Sequence, residues 1–290
     1  MCFASLPPEL LDAVSPERDS NLSRVGPSLF RSVRRTARAS GWTLSLLFLR
    51  TSAAVAFGAF VAATASAAAE TRSVIELFTS QGCSSCPPAD ALLAEYADRD
   101  DVLALSFNVD YWDMRGWKDT LASHDNTERQ RNYSVARGDG QVYTPQMVVG
   151  GRTHVVGSNR DAVEGALKDE ANRLSVPITL SFAGDSLSVD IGPTAVPDLP
   201  HATLWLVMYD RSVSVTIERG ENAGRTIAYS NVVRKLRPIA MWKGEPMSVD
   251  LSKSEIKQAK VGSCAVLLQA ETEAGLPGPI LGAATIRAGW

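Results

Sequence analysis

Two cysteines three residues apart, Cys83 and Cys86, close the segment Val74-Ile75-Glu76-Leu77-Phe78-Thr79-Ser80-Gln81-Gly82-Cys83-Ser84-Ser85-Cys86-Pro87-Pro88. A C-x-x-C pair can cycle between dithiol and disulfide or hold a soft metal ion. The apolar run before it predicts a strand, and the alanine- and leucine-rich pattern after it predicts a helix. At the first turn of a helix, unpaired backbone N–H groups and the positive end of the macrodipole favour a thiolate. Cys83 is therefore expected to be the more acidic and more exposed sulfur, the nucleophile. Cys86, one helical turn on, is its resolving partner. Pro87 and Pro88 suit a first helical turn, where no N–H is needed. The hydroxyls of Ser84 and Ser85 are candidate donors to the Cys83 thiolate, the alternative being that both are small turn residues.

The elements that must hold this pair follow in order. Ala89, Leu92, Leu93 and Tyr96 recur at helical spacing, and Val102 to Val109 reads as a strand buried on both faces. Strand, helix and strand of this length make a parallel crossover unit. The loop Asp110 to Asp119 leaves the strand end nearest the cysteines, which makes Trp112 a candidate wall of a substrate groove, with a packed lid as the alternative. Thr127 to Ala136 is a polar helical stretch ended by Gly138, Asp139 and Gly140. Tyr143 to Gly157 reads as a hairpin about Gly150-Gly151, and Asp161 to Leu174 as a closing helix. The sum is β-α-β-α-β-β-α.

A C-x-x-C at a helix start in this order of elements, with Thr144-Pro145 opening a hairpin, resembles the thioredoxin-like fold over about residues 71 to 175. The resemblance implies a cis Pro145 packed against the redox pair, and a Thr144 whose backbone pairs with an extended substrate. More narrowly, Glu76 to Asp90, Asp110-Tyr111-Trp112-Asp113 and Gly220-Glu221-Asn222-Ala223-Gly224 are similar to a bacterial family of exported thioredoxin-like proteins catalogued as a domain of unknown function. That likeness runs over nearly all of residues 71 to 290. Departures from thioredoxin itself are Ser84-Ser85 between the cysteines, no tryptophan before Cys83, and Leu77 in the register of thioredoxin's buried aspartate. Glu76 is adjacent, but strand alternation turns it to the other face.

The pattern changes at Ser175-Val176-Pro177. Ile178 to Phe182, Leu187 to Ile191, Thr203 to Tyr209, Val213 to Ile217, Thr226 to Val233, Met247 to Leu251, Cys264 to Glu271 and Gly282 to Ile286 are β-type runs separated by turn residues. They predict a second domain over 176 to 290, an antiparallel β-sandwich of seven or eight strands. Gly220 to Gly224 reads as a hairpin turn. Cys264, between apolar neighbours, reads as a buried and inert thiol.

Composition sets the context. The chain has 290 residues, 45% hydrophobic and 21% charged, enough for two modest domains. Arg31, Arg34, Arg35 and Arg38, the apolar run from Ala53 to Ala63 and the small-residue sites up to Ala67 describe a secretory signal peptide cleaved near Ala67. Arg50 interrupts the apolar stretch, which favours cleavage over the alternative of a retained membrane anchor, and no stable membrane span is expected after cleavage. The basic segment comes late for a leader, which places a start codon downstream of Met1. Without residues 1 to 67 the chain holds 22 basic against 28 acidic groups, and no basic patch argues for nucleic acid. His124, His154 and His201 form no ligand spacing, so no metal site and no cofactor are assigned. A two-thiolate copper(I) site on Cys83 and Cys86 is the metal alternative, and a binding module with a structural disulfide the non-catalytic one. The leading expectation is a periplasmic or secreted thiol–disulfide oxidoreductase whose partners are protein or small-thiol disulfides.

Overall fold

The computed structural model describes residues 71–194, 201–258 and 261–287. The expected leader over 1–67 and its cleavage near Ala67 lie outside the described residues. Strand β1 (Ser73–Thr79) runs parallel to β2 (Val102–Asn108), with Ser73 opposite Val102 and Thr79 opposite Asn108. On its other side β1 pairs antiparallel with β3 (Gln146–Val149), and β3 with β4 (Thr153–Val156). Every residue of β1 and β2 is buried, Glu76 and Ser106 included, as befits largely apolar strands covered on both faces.

Helix α1 (Pro87–Ala97) lays Leu92, Leu93 and Tyr96 against Ile75, Leu77, Ala104 and Met147, and α3 (Arg160–Glu170) completes that layer with Val163, Ala166 and Leu167. Helix α2 (His124–Arg137) covers the opposite face, where Tyr133 packs among Val74, Phe78, Leu105 and Phe107. It starts three residues before its sequence pattern because Ser123 caps it, accepting from the Asn126 N–H, and it ends at Gly138 in the left-handed conformation. The β3–β4 turn is built on Gly150 and Gly151, both at positive φ; a Cβ on Gly151 would sit 2.5 Å from the Gly278 carbonyl oxygen.

In the C-terminal part, β5 (Ile178–Ala183), β6 (Ser186–Ile191) and β9 (Met247–Ser252) form a three-stranded sheet in the order β5-β6-β9. Its Leu187, Val189 and Ile191 pack on Leu204, Leu206, Met208, Val266 and Leu268. These belong to β7 (Ala202–Thr216) and β10 (Ser263–Glu271), which with β8 (Thr226–Trp242) and β11 (Pro277–Arg287) join the first four strands in one sheet, ordered β11-β10-β7-β8-β2-β1-β3-β4. The runs Thr203 to Tyr209 and Val213 to Ile217 are one strand. Asp210, Arg211 and Ser212 look like a turn by composition, yet the backbone pairs on with β8 as a two-stranded ribbon that exposes one face and packs Val213, Val215, Ile227 and Tyr229 with Leu121 and Trp117 on the other, and Asp210 accepts from Arg234.

The eight-stranded sheet also runs across the sequence change at Ser175 to Pro177. β2 meets β8 in parallel at Ser106 opposite Val232, and Asn231, held at φ 48°, donates from Nδ2 to the Ala104 carbonyl at 2.8 Å. One apolar cluster spans the join, with Phe78, Phe107 and Tyr133 on one side and Val207, Tyr209, Ala265 and Leu267 on the other. Among the described residues no helix is long and apolar enough to cross a membrane.

Candidate functional site

β1 ends at Thr79 and the chain turns twice before α1, with the Cys83 N–H donating to the Ser80 carbonyl and the Cys86 N–H to the Cys83 carbonyl, each at 3.2 Å. Cys83 and Cys86 are joined in a disulfide, their Cα atoms 5.4 Å apart. The helix begins at Pro87, so Cys86 is its N-cap and Cys83 lies outside the first turn. Of the two serines, Ser85 reaches the pair, its Oγ 3.4 Å from Cys83 Sγ. A disulfide sulfur carries no proton, so Ser85 is the donor.

The expectation of an exposed Cys83 is corrected by the structure. Both cysteines are 0% exposed, and only Ser84 and Ser85 between them face solvent. Two segments far along the chain pack on the backbone that leads into the pair. The loop carrying Trp112 lies on Gly82, where a Cβ would meet Trp112 Cβ at 3.2 Å and its carbonyl at 3.3 Å, and Trp117 Nε1 donates to Gln81 Oε1 at 2.7 Å. Packed against that loop, with Gly220 beside Trp117, comes the turn between β7 and β8. Asn222, 1% exposed, donates from Nδ2 to the carbonyls of Gln81 and Cys83, both at 2.9 Å. Neither contact could be seen from local pattern, since Asn222 lies 139 residues from Cys83.

Trp112 is half-buried, with the Arg115 guanidinium 5.4 Å from its ring centroid and its Nε1 buried without a partner in the protein. The Thr144–Pro145 bond is cis. Pro145 lies beside the start of α1: a Cβ placed on Gly157 would be 3.2 Å from Ala89 Cβ and 3.4 Å from Pro145 Cβ. Thr144 is half-buried and its Oγ1 has no partner. Cys83, Cys86 and Pro145 are thus gathered around the N-terminus of α1, with Trp112 over Gly82.

Behind the pair is a buried polar layer that the sequence reading missed. Asp90, one turn after Cys86 and 2% exposed, is buried in this layer with Thr79 and Tyr229. Burial pushes the Asp90 pKa up to about 8; the Thr79 hydroxyl opposes the rise and the Asp119 charge adds to it. Asp119 accepts from the N–H groups of Gln81, Leu121 and Ala122 and from Asn108 Nδ2, at 2.8–3.1 Å. Helix side chains tilt towards the N-terminus, and the Asp90 N–H donates to the Cys86 carbonyl at 3.1 Å, so the Asp90 carboxyl shares a face with the Cys86 side chain. Cys264 is free and buried among Val266 and Leu268, and burial raises its thiol pKa to about 11. No group of three or more His, Cys, Asp or Glu among the described residues is arranged to hold a metal ion.

The chain is similar in structure to protein AGR_C_4864 from Agrobacterium tumefaciens, with 39% identity over 75% of this chain and 95% of that one and a TM-score of 0.67. HBP35 of Porphyromonas gingivalis shares the fold at 10% identity, with 75% of each chain covered and a TM-score of 0.53. No curated protein matches. Residues 74–269, more than half of the chain, match a family model and make this protein a member of the family described as Protein of unknown function (DUF1223).

Proposed function

We propose that this protein is an exported thiol–disulfide oxidoreductase, thioredoxin-like over residues 71 to 175, that works through Cys83 and Cys86. The observation that carries the reading is the Cys83–Cys86 disulfide at the start of α1 with Pro145 beside that helix. The sheet order β2-β1-β3-β4, with β1 and β2 parallel and β3 antiparallel, supports the fold assignment. The basic and apolar segments before Ala67 support export.

In the reductive direction the Cys83 thiolate attacks a substrate disulfide. One substrate sulfur leaves as a thiolate and takes a proton from water, and Cys83 is held in a mixed disulfide. The Cys86 thiol then gives its proton to the Asp90 carboxylate while its sulfur attacks Cys83, closing the intramolecular disulfide and releasing the second substrate sulfur. In the oxidative direction neutral Asp90 returns the proton to Cys86 as that disulfide opens. A carboxyl with a pKa of about 8 exchanges protons near neutrality, which an ordinary aspartate does not. Trp112 and Thr144 flank the pair as substrate contacts, and the substrates are disulfides of proteins or small thiols.

The test is turnover of a model protein disulfide by the chain from residue 68 onwards, with a thiol reductant as electron source. Turnover is expected to fall to background in Cys83→Ser and to stall at a trapped mixed disulfide in Cys86→Ala. Equal rates for the parent and Cys83→Ser would remove the proposal.

A further inference from the structure

We infer that Asn222 is a positioning residue for Cys83, and that the turn between β7 and β8 is a cover which a disulfide partner must displace; the inference rests on the redox reading of Cys83 and Cys86. Beyond Tyr209 the strands β7 and β8 leave the two-sided core as a ribbon, and the ribbon ends above the cysteines. The turn is internally braced, with the Gly224 N–H donating to the Ile217 carbonyl at 2.8 Å and the Ala223 N–H to the Gly220 carbonyl at 3.2 Å. Glu221, Ala223, Gly224 and Arg225 face solvent, and Asn222 alone points inward from among them.

Both acceptors under Asn222 are carbonyl oxygens, so the Nδ2 end of the carboxamide must face them, and its two hydrogens serve one each. The opposite end is fixed by Arg225, whose Nη1 donates to Asn222 Oδ1 at 3.0 Å. The two carbonyls flank Gly82, the residue under Trp112. The amide therefore pins the backbone on both sides of the position that leads into Cys83, and the turn that carries it packs on the tryptophan loop, where a Cβ on Gly220 would meet Trp117 Cβ at 3.2 Å. The base of the ribbon is fixed by the apolar cluster of Ile217, Ile227, Tyr229 and Leu121. The tip from Glu218 to Arg225 lies beyond it and is held by the Asn222 hydrogen bonds and by Gly220 on Trp117, so the tip can open locally without global unfolding. Cys83, wholly covered when the turn is down, becomes reachable when it lifts.

The experiment uses the oxidised mature chain and follows reduction of the Cys83–Cys86 disulfide by dithiothreitol, and its re-formation with oxidised dithiothreitol. Asn222→Ala is expected to accelerate both directions about tenfold or more, as loss of two hydrogen bonds of modest net worth provides, with the equilibrium constant unchanged. A residue that merely stabilised one redox state would shift that constant. Arg225→Ala, at an exposed side chain, frees the carboxamide to turn and is expected to accelerate both directions several-fold, while Glu221→Ala exchanges at the parent rate. Parent rates in both Asn222→Ala and Arg225→Ala, or a shifted equilibrium without acceleration, would overturn the inference. If Asn222→Ala does not fold, Arg225→Ala decides alone. Chemical reduction reads access and not turnover, so the result stands apart from whether the protein catalyses disulfide exchange.

Discussion

Asp90 carries a strong pH dependence. In the unfolded chain its carboxyl loses its proton near the ordinary value of 3.8, while in the folded protein burial holds the proton until about pH 8. Below pH 4 both states are protonated and Asp90 contributes no pH dependence. Between pH 4 and 8 the folded state binds more protons than the unfolded one, so stability falls as pH rises, by at most about 1.4 kcal/mol per pH step from this one group, and levels off above. Asp90→Asn cannot titrate. The difference in melting temperature between Asp90→Asn and the parent, measured with the disulfide intact, is expected to move in the variant's favour from pH 4 to pH 8. An amide left unpartnered would cost the same at every pH, so parallel melting curves would refute the buried acid. Asp90 was within reach of the sequence, because it falls inside the inward stripe of Ala89, Leu92, Leu93 and Tyr96 and four residues after Cys86. An acid on such a stripe is the signal. Asn222 offered none, since only the tertiary fold brings its turn to Cys83.

Helix α2 is polar and docks in part through a buried network of charged groups. Arg129 Nε donates to Glu76 Oε1 at 2.8 Å, its Nη2 to the Tyr133 hydroxyl and to Gln269 Oε1, each at 2.9 Å, and the Tyr133 hydroxyl donates to Glu76 Oε2. The Glu76 side chain is 0% and that of Arg129 7% exposed. Removing one partner leaves the other charge buried and uncompensated, so Arg129→Met should cost about 3–5 kcal/mol in chemical denaturation. Adding Glu76→Gln removes the stranded charge and is expected to recover a large part of that loss. A double variant no more stable than Arg129→Met would show that the two charges do not depend on each other. Alternation alone placed Glu76 on the face away from Leu77, but its partner could not be read, because Arg129 sits in a helix whose composition suggests a solvated surface. The same limit applied to β7 and β8, where exposed side chains on a paired ribbon were indistinguishable from a turn.

The join between β2 and β8 ties the two parts of the chain into one body. A chain ending at Ser175 would keep β1 to β4 and all three helices above, yet it would expose the face of Phe78, Phe107 and Tyr133 that now meets Val207, Tyr209, Ala265 and Leu267. It would also lose the Gln269 side chain, whose Nε2 donates to the Tyr133 hydroxyl at 2.7 Å and whose Oε1 accepts from Arg129. Composition suggests two domains because the helical pattern stops at Ser175, but a change of element type need not mark the edge of a core. Each buried leucine- or valine-sized side chain uncovered here forfeits about 1.5–3 kcal/mol. Four to six of them, about 6–18 kcal/mol, are comparable to the whole stability of an ordinary domain, roughly 5–15 kcal/mol. Residues 68 to 175 expressed alone are therefore expected to lack a cooperative thermal transition, while the chain from residue 68 to its end melts in a single step with coincident secondary-structure and tryptophan signals. A cooperative melt of the short fragment near the temperature of the longer chain would instead mean that the shared sheet is a contact between two self-sufficient folds.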